Sequence, residues 1–195
     1  MMRLFIALLA LSLFATATAI AGTIPPSALP QPVLKVLPLG DSITIGRWVN
    51  GGYRLPLSKM MNVEYIGPLT SNSDGMAQPH HAGFSGYRID QIEAQLATID
   101  GTPDVILLHV GTNDLFQAYQ LNGINARLFS LVAALRAKWP FARIIVATVG
   151  PFATGNYPQI DAMNAAAIDY NDYIAWLPDV EVAFMPMQGR LLGDG

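Results

Sequence analysis

Apolar positions along the chain follow two alternating rhythms. Short apolar runs occupy Val33–Leu39, Val105–Val110, Ile144–Val149 and Val180–Met185, and Val63–Leu69 alternates apolar with polar. Such runs predict strands, and the nearly unbroken ones predict parallel strands covered on both faces. Between them the spacing changes. Ile89, Ile92, Leu96 and Ile99 recur three or four apart and predict a helix that Asp100-Gly101-Thr102-Pro103 stops. Ile124, Leu128, Leu131, Val132 and Leu135 mark a second helix, ended before Pro140. Ile160, Met163, Ala167, Tyr170, Ile174 and Leu177 mark a third. A shorter helix is predicted over Tyr53–Met61, with Pro56 in its first turn and Leu57, Met60 and Met61 facing inward. Strands alternating with helices predict one α/β domain, a parallel sheet of about five strands between helical layers.

The polar stretches add to this picture. Residues 45–52 read as a loop carrying Trp48 and a Gly51-Gly52 pair. Residues 70–84 form a longer loop rich in Ser, Asn, Asp, Gly and Pro, and a loop of that length in a compact domain usually serves function. Residues 22–32 carry four prolines and read as an extended leader. Ahead of them, Met1-Met2-Arg3, the apolar stretch Leu4–Ala15 and the Ala-x-Ala sites around Ala17–Ala21 predict a signal peptide over residues 1–21. The apolar stretch is short for the ~20 residues of a membrane span. The domain is therefore expected over residues 33–195, secreted and free of the membrane after cleavage.

Composition narrows the function classes. Charged residues make up 13% of the 195 positions and the net charge is −3, with no Lys/Arg-rich run, so nucleic acid is not an expected partner. Cys is absent, so core burial alone must hold the fold, and a monomer is expected.

Candidate chemistry lies in three turns. Gly40-Asp41-Ser42 breaks the first apolar run and leaves a serine at a strand's carboxyl end, where open parallel sheets bind ligands. Gly83-Phe84-Ser85-Gly86 closes the long loop, and Gly111-Thr112-Asn113-Asp114 follows the strand at Val105–Val110. Each alone is ordinary turn or cap chemistry. Together, beyond one edge of a sheet, they supply what acyl transfer needs. Such a site needs a nucleophile and donors aimed at the developing oxyanion, and a serine N–H, a glycine N–H and an asparagine side-chain amide would supply three.

These blocks, in this order, resemble those of the SGNH (GDSL-type) hydrolases. The stretches Gly83–Ile92 and His109–Asp114 are most similar to the secreted acetylxylan-esterase-like carbohydrate esterases of that family. The resemblance implies a flavodoxin-like three-layer α/β/α sandwich and a serine esterase acting on acetyl esters of a polysaccharide. It implies no cofactor and no metal. Ser42 would be the nucleophile, with Ser42, Gly86 and Asn113 forming the oxyanion hole. Asp41 and Asp114 would support the loops, with His109 nearby.

The family pattern closes with Asp-x-x-His, whose histidine is the base. Asp194 stands where that aspartate is expected, and the histidine would fall two residues beyond Gly195. Weak turnover is the expectation for the chain as written. His109, in a buried strand, reads as a satisfied core or near-site histidine. His80 and His81 read as cleft-lining or surface residues. The rival functions are a non-catalytic glycan-binding protein and a lipase or thioesterase of the same family. Trp48, Tyr53, Phe84 and Tyr87 either stack on sugar rings or pack.

Overall fold

The computed structural model describes residues 32–152 and 159–184. The segments read as signal peptide and leader, up to residue 31, together with Met185 and Asp194, lie outside the described residues. Six parallel strands form one sheet: β1 (Leu34–Gly40), β2 (Val63–Tyr65), β3 (Ala82–Gly83), β4 (Val105–His109), β5 (Arg143–Ala147) and β6 (Glu181–Ala183). The order is β2-β1-β4-β5-β6. Setting aside the two-residue β3, this is the flavodoxin-like order, and it reverses direction between β1 and β4. β2 pairs with the start of β1 and β3 with its end.

Helices α1 (Ser42–Ile45), α2 (Arg54–Met60), α3 (Ile89–Gln95), α4 (Thr112–Phe116), α5 (Ile124–Lys138) and α6 (Ile160–Ala175) connect the strands. The pleat divides the core in two. Leu37, Leu39, Ile106, Leu108, Ile144 and Val146 face α3, α5 and α6, where Ile92, Leu131, Leu135 and Ile174 are fully buried. Val36, Val105, Leu107 and Ile145 point the other way and pack with Leu57 of α2. Successive strand residues thus serve opposite layers, as their period of two requires, and the expected three-layer α/β/α sandwich with its parallel sheet is what the chain forms. Among the described residues no helix is long and apolar enough to cross a membrane.

Three local expectations are corrected. Met60 is 54% exposed rather than inward. The inward stripe of α2 runs through Arg54 and Leu57 to Met61, so an arginine takes a position that pattern alone gives to an apolar residue. The strand expected over Val63–Leu69 ends at Tyr65, because β3 occupies the edge of β1 from Leu39 onward. Leu69 instead bridges His81 in antiparallel fashion and carries the long loop back to that edge. Finally, Ile45, expected to open the loop, instead closes a helical turn over residues 42–45.

Candidate active site

β1 delivers the first block to the crevice where the strand order reverses. A Cβ on Gly40 would lie 2.2 Å from the His109 carbonyl oxygen and 2.6 Å from Thr44 Oγ1. The glycine is needed there because β4 approaches so closely, not because the strand turns. Asp41 caps α1: its Oδ1 accepts from the Ile43 N–H at 2.9 Å, which leaves Ser42 as the first helical residue, half-buried at the crevice. The Ser42 N–H, in the first turn, has no intrahelical acceptor.

The second block is held against the first. Gly83 of β3 packs so tightly that a Cβ would meet Ile45 N at 2.8 Å and Asp41 O at 3.1 Å. The next residue, Phe84, donates its N–H to Gly40 O at 2.8 Å. Gly86 is exposed with φ +79°, a left-handed conformation that favours glycine. Its carbonyl accepts from Gln117 Nε2 at 3.2 Å, and its N–H donates to no acceptor among the described residues.

The third block joins the other two. Asn113 in α4 donates through Nδ2 to Asp41 Oδ2 at 3.2 Å and to the Tyr87 carbonyl at 2.9 Å. One amide therefore touches the residue before Ser42 and the residue after Gly86. Asp114, fully buried, accepts from the Ile89 N–H at 3.0 Å and from Arg127 Nε and Nη2 at 3.1 and 2.9 Å. It ties α3 and α5 to α4 beneath the site. Asp41, Asn113 and Asp114 thus lie together, with Ser42 and Gly86 each one residue along the chain from a partner of the Asn113 amide.

Burial dominates the electrostatics. It raises the Asp41 carboxyl above its usual range, with His109 and the Ile43 N–H opposing and Asp114 adding to the shift. Burial also raises Asp114, against the Ile89 N–H and Arg127. Of the histidines, His81 departs from expectation, while His80 is a surface residue and His109 a near-site one. His109 is buried, but both ring nitrogens lack a partner, so it is not a satisfied core residue. Burial lowers its pKa against the pull of Asp41, which keeps the ring neutral. His81 neither lines a cleft nor lies on the surface. Its Nδ1 accepts from the Gly83 N–H at 3.1 Å and its Nε2 lies 2.9 Å from Ser71 O, an arrangement that fixes the proton on Nε2. Burial and nearby Arg54 lower its pKa to about 4. His80 is exposed, with Nδ1 3.1 Å from Gly67 O. None of the three is hydrogen-bonded to Ser42. Among the described residues no group of three His, Cys, Asp or Glu side chains is placed to hold a metal ion.

Two polar residues escaped the sequence reading. Arg54 is fully buried, and its five N–H groups donate to Thr44 O, Ser73 Oγ, Pro79 O, Ile45 O and Asn72 O at 3.0–3.4 Å. It sews the turn after Ser42 to the long loop. Its place on the inward stripe with Leu57 was the available signal. Gln117 follows Asn113 by four residues, hence on the same helical face, and holds Gly86. Of the four aromatics, Phe84 and Tyr87 stack on each other at 5.4 Å and pack on the core. Tyr53 is likewise partly buried, its phenol pushed up to about 12 by burial. Trp48 alone stands out into solvent.

The pattern of the GDSL-like Lipase/Acylhydrolase family matches residues 39–194, which takes in all three blocks. The chain belongs to that family. Other comparisons find esterases among the proteins similar to this GDSL chain. It is 34% identical over 170 residues to a multidomain esterase of Ruminococcus flavefaciens, covering 72% of this chain but only 22% of that protein. The chain thus spans about a fifth of the length of that curated relative. A family 3 carbohydrate esterase of Clostridium thermocellum superposes with a TM-score of 0.58 and 27% identity, over 78% of this chain and 77% of that one. An acetylxylan esterase of Geobacillus stearothermophilus shares the fold, with a TM-score of 0.50 and 20% identity over 74% of this chain and 71% of that one.

Proposed function

We propose that this GDSL-family chain is a secreted serine esterase that removes acetyl groups from an acylated carbohydrate. The observation that carries the reading is the Asn113 amide, which gathers Asp41 beside Ser42 and Tyr87 beside Gly86 into one crevice at the reversal of the strand order. Carbohydrate-esterase neighbours support the substrate class. The predicted signal peptide supports secretion.

In this reading Ser42 Oγ attacks the acetyl carbonyl carbon as its proton passes to a base. The carbonyl oxygen becomes the oxyanion, facing the Ser42 N–H, the Gly86 N–H and Asn113 Nδ2. Asn113 meets it by giving up its longer bond, the one to Asp41, and keeps the shorter one to Tyr87, so the amide stays oriented. Collapse expels the sugar oxygen, which takes the proton, and water then releases acetate from the acyl-serine. The base is the histidine of the family's closing block, oriented by Asp194, since His80, His81 and His109 make no bond to Ser42. Removing one member of such a triad leaves on the order of 10³–10⁴ over water, so a form lacking that histidine turns over weakly.

The test is acetate release from an acetylated xylo-oligosaccharide and an aryl acetate, by the chain as written and by a version extended to supply Asp-x-x-His. Ser42→Ala should abolish release, and Asn113→Ala should lower kcat by about 10²–10³ with KM little changed. Hydrolysis that survives Ser42→Ala would overturn the proposal. Inactivity of every version, with glycan still bound, would make the chain a binding protein.

A further inference from the structure

The turn that follows Ser42 is built to present two side chains. Gly46 caps α1 in the left-handed conformation, the Arg47 N–H returns to Ser42 O at 3.1 Å, and the Val49 N–H returns to Gly46 O at 2.9 Å. Asn72 Nδ2 reaches the carbonyls of Ile45, Gly46 and Val49. Asn50 and Asp74 exchange two bonds, Nδ2 to O at 2.8 Å and N–H to Oδ1 at 3.0 Å. The tip is therefore braced from below by the long loop. A large aromatic is costly to leave in water, yet this tip holds Trp48 at 75% exposure.

Arg47 beside it is also exposed. Its Nη1 donates to Ser85 Oγ at 3.0 Å, so its guanidinium spans from the Ser42 turn to the residue next to Gly86. Ser85 is a neutral partner that takes one of five donors. The ion pairs among the described residues are Arg88–Asp90, Arg127–Asp114 and Arg143–Glu181; Arg47 is in none of them, and Asp74, which braces the tip, makes no ion pair with it. At the mouth Arg88 is matched by Asp90, and the two carboxyls beneath, Asp41 and Asp114, are buried. Among the described residues, Arg47 thus puts an unmatched cation at the rim.

We infer that Arg47 and Trp48 form a subsite for an anionic sugar residue, so that the preferred ester is an acetylated glycan bearing uronate groups. Trp48 offers a flat apolar face to a sugar ring, and the planar fork of Arg47 suits a carboxylate. The inference rests on the esterase reading for its consequence in catalysis, but binding at the tip needs no turnover.

Titration calorimetry on the full chain carrying Ser42→Ala separates the two. The probes are an acetylated xylotetraose and the same oligosaccharide with one glucuronosyl branch. In dilute buffer the acidic probe should bind about fivefold tighter, as expected of one exposed ion pair. The advantage should vanish near 1 M salt, where screening acts within ~3 Å. Adding Arg47→Gln should erase the preference, and adding Trp48→Ala should weaken both probes alike, with unfolding midpoints confirming that each variant folds. Equal affinity for the two probes, a preference that survives Arg47→Gln, or binding of neither probe would overturn the subsite. Acidic preference in a protein whose Ser42 form releases no acetate from any ester would instead overturn the esterase reading and leave the subsite standing.

Discussion

Replacing Arg54 by Met tests whether the turn after Ser42 depends on one buried cation. The two side chains are similar in length, so little cavity forms and the effect is polar. Arg54 makes five hydrogen bonds and, among the described residues, no ion pair. Most of its acceptors keep another partner. Ile45 O also accepts from Asn72, Asn72 O from the Gly51 N–H, and Pro79 O from Ser73 Oγ, whose one proton is free to go there because Ser71 O also accepts from His81 Nε2. Thr44 O has Arg54 as its partner, and Thr44 is fully buried. The loss is therefore one orphaned carbonyl, about 1–3 kcal/mol, plus several charge-assisted bonds of ~1.5–3 kcal/mol each. Relief of a desolvated cation that lacks a counter-charge, worth several kcal/mol, opposes it; burial already lowers the Arg54 pKa. These opposing contributions are of similar size, and the expected net is a destabilisation of about 2–3 kcal/mol, the upper part of the usual range for one substitution. For a domain of this size that lowers the unfolding midpoint by roughly 5–10 °C. Circular dichroism melts of the parent, Arg54→Met and Arg54→Lys should fall in the order parent, Lys, Met, because Lys regains one or two acceptors. Acetate release per folded molecule should fall with them. An Arg54→Met midpoint within about 2 °C of the parent would refute the reasoning.

Two glycines should behave oppositely. Gly40→Ala drives a methyl to 2.2 Å from the His109 carbonyl and should leave little folded protein in expression trials. Gly86→Ala meets nothing within 4 Å and should cost only the ~1–2 kcal/mol of its left-handed conformation, read as a midpoint shift of a few degrees. His81 should make the fold acid-labile. Its pKa falls from 6.5 unfolded to about 4 folded, so the unfolded state binds the extra proton between those values and stability drops as pH falls through that window, by about 3 kcal/mol at most. His109, also lowered, adds in the same direction, while the raised Asp41 and Asp114 oppose it by favouring the folded state as pH falls. Urea melts at pH 7 and 5 should show His81→Gln losing at least 1 kcal/mol less than the parent; an equal loss in both would exclude His81 as the source.

The long elements were legible because burial on two faces leaves an unmistakable pattern. Val105–Val110 reads as a strand and the stripe from Ile124 to Leu135 as a helix, and packing had no reason to override either. The blocks at Ser42 and Asn113 were legible for a different reason: each follows an apolar strand, and a parallel sheet sends such ends to one edge, whereas the Gly83–Gly86 block closes a loop whose two-residue strand β3 leaves no pattern of its own. What could not be read is how polar groups pair across the chain. Nothing in the spacing says that Asn113 reaches both Asp41 and Tyr87, that Gln117 holds Gly86, or that Arg54 lies inside. Each joins residues far apart in the sequence, and hydrogen bonds carry no periodicity. The same gap explains His81, which read as a cleft-lining or surface residue of a polar loop. Its burial follows from the bridge between Leu69 and His81, which draws the loop onto the edge of β1 and puts the ring against the Gly83 N–H. Once that edge is filled, the loop has to turn inward at His81 and outward again at Gly86. The long loop therefore does more than lead to the site. Through Asn72, Ser73, Pro79 and His81 it fixes where the Ser42 turn and the Gly83–Gly86 turn stand relative to each other.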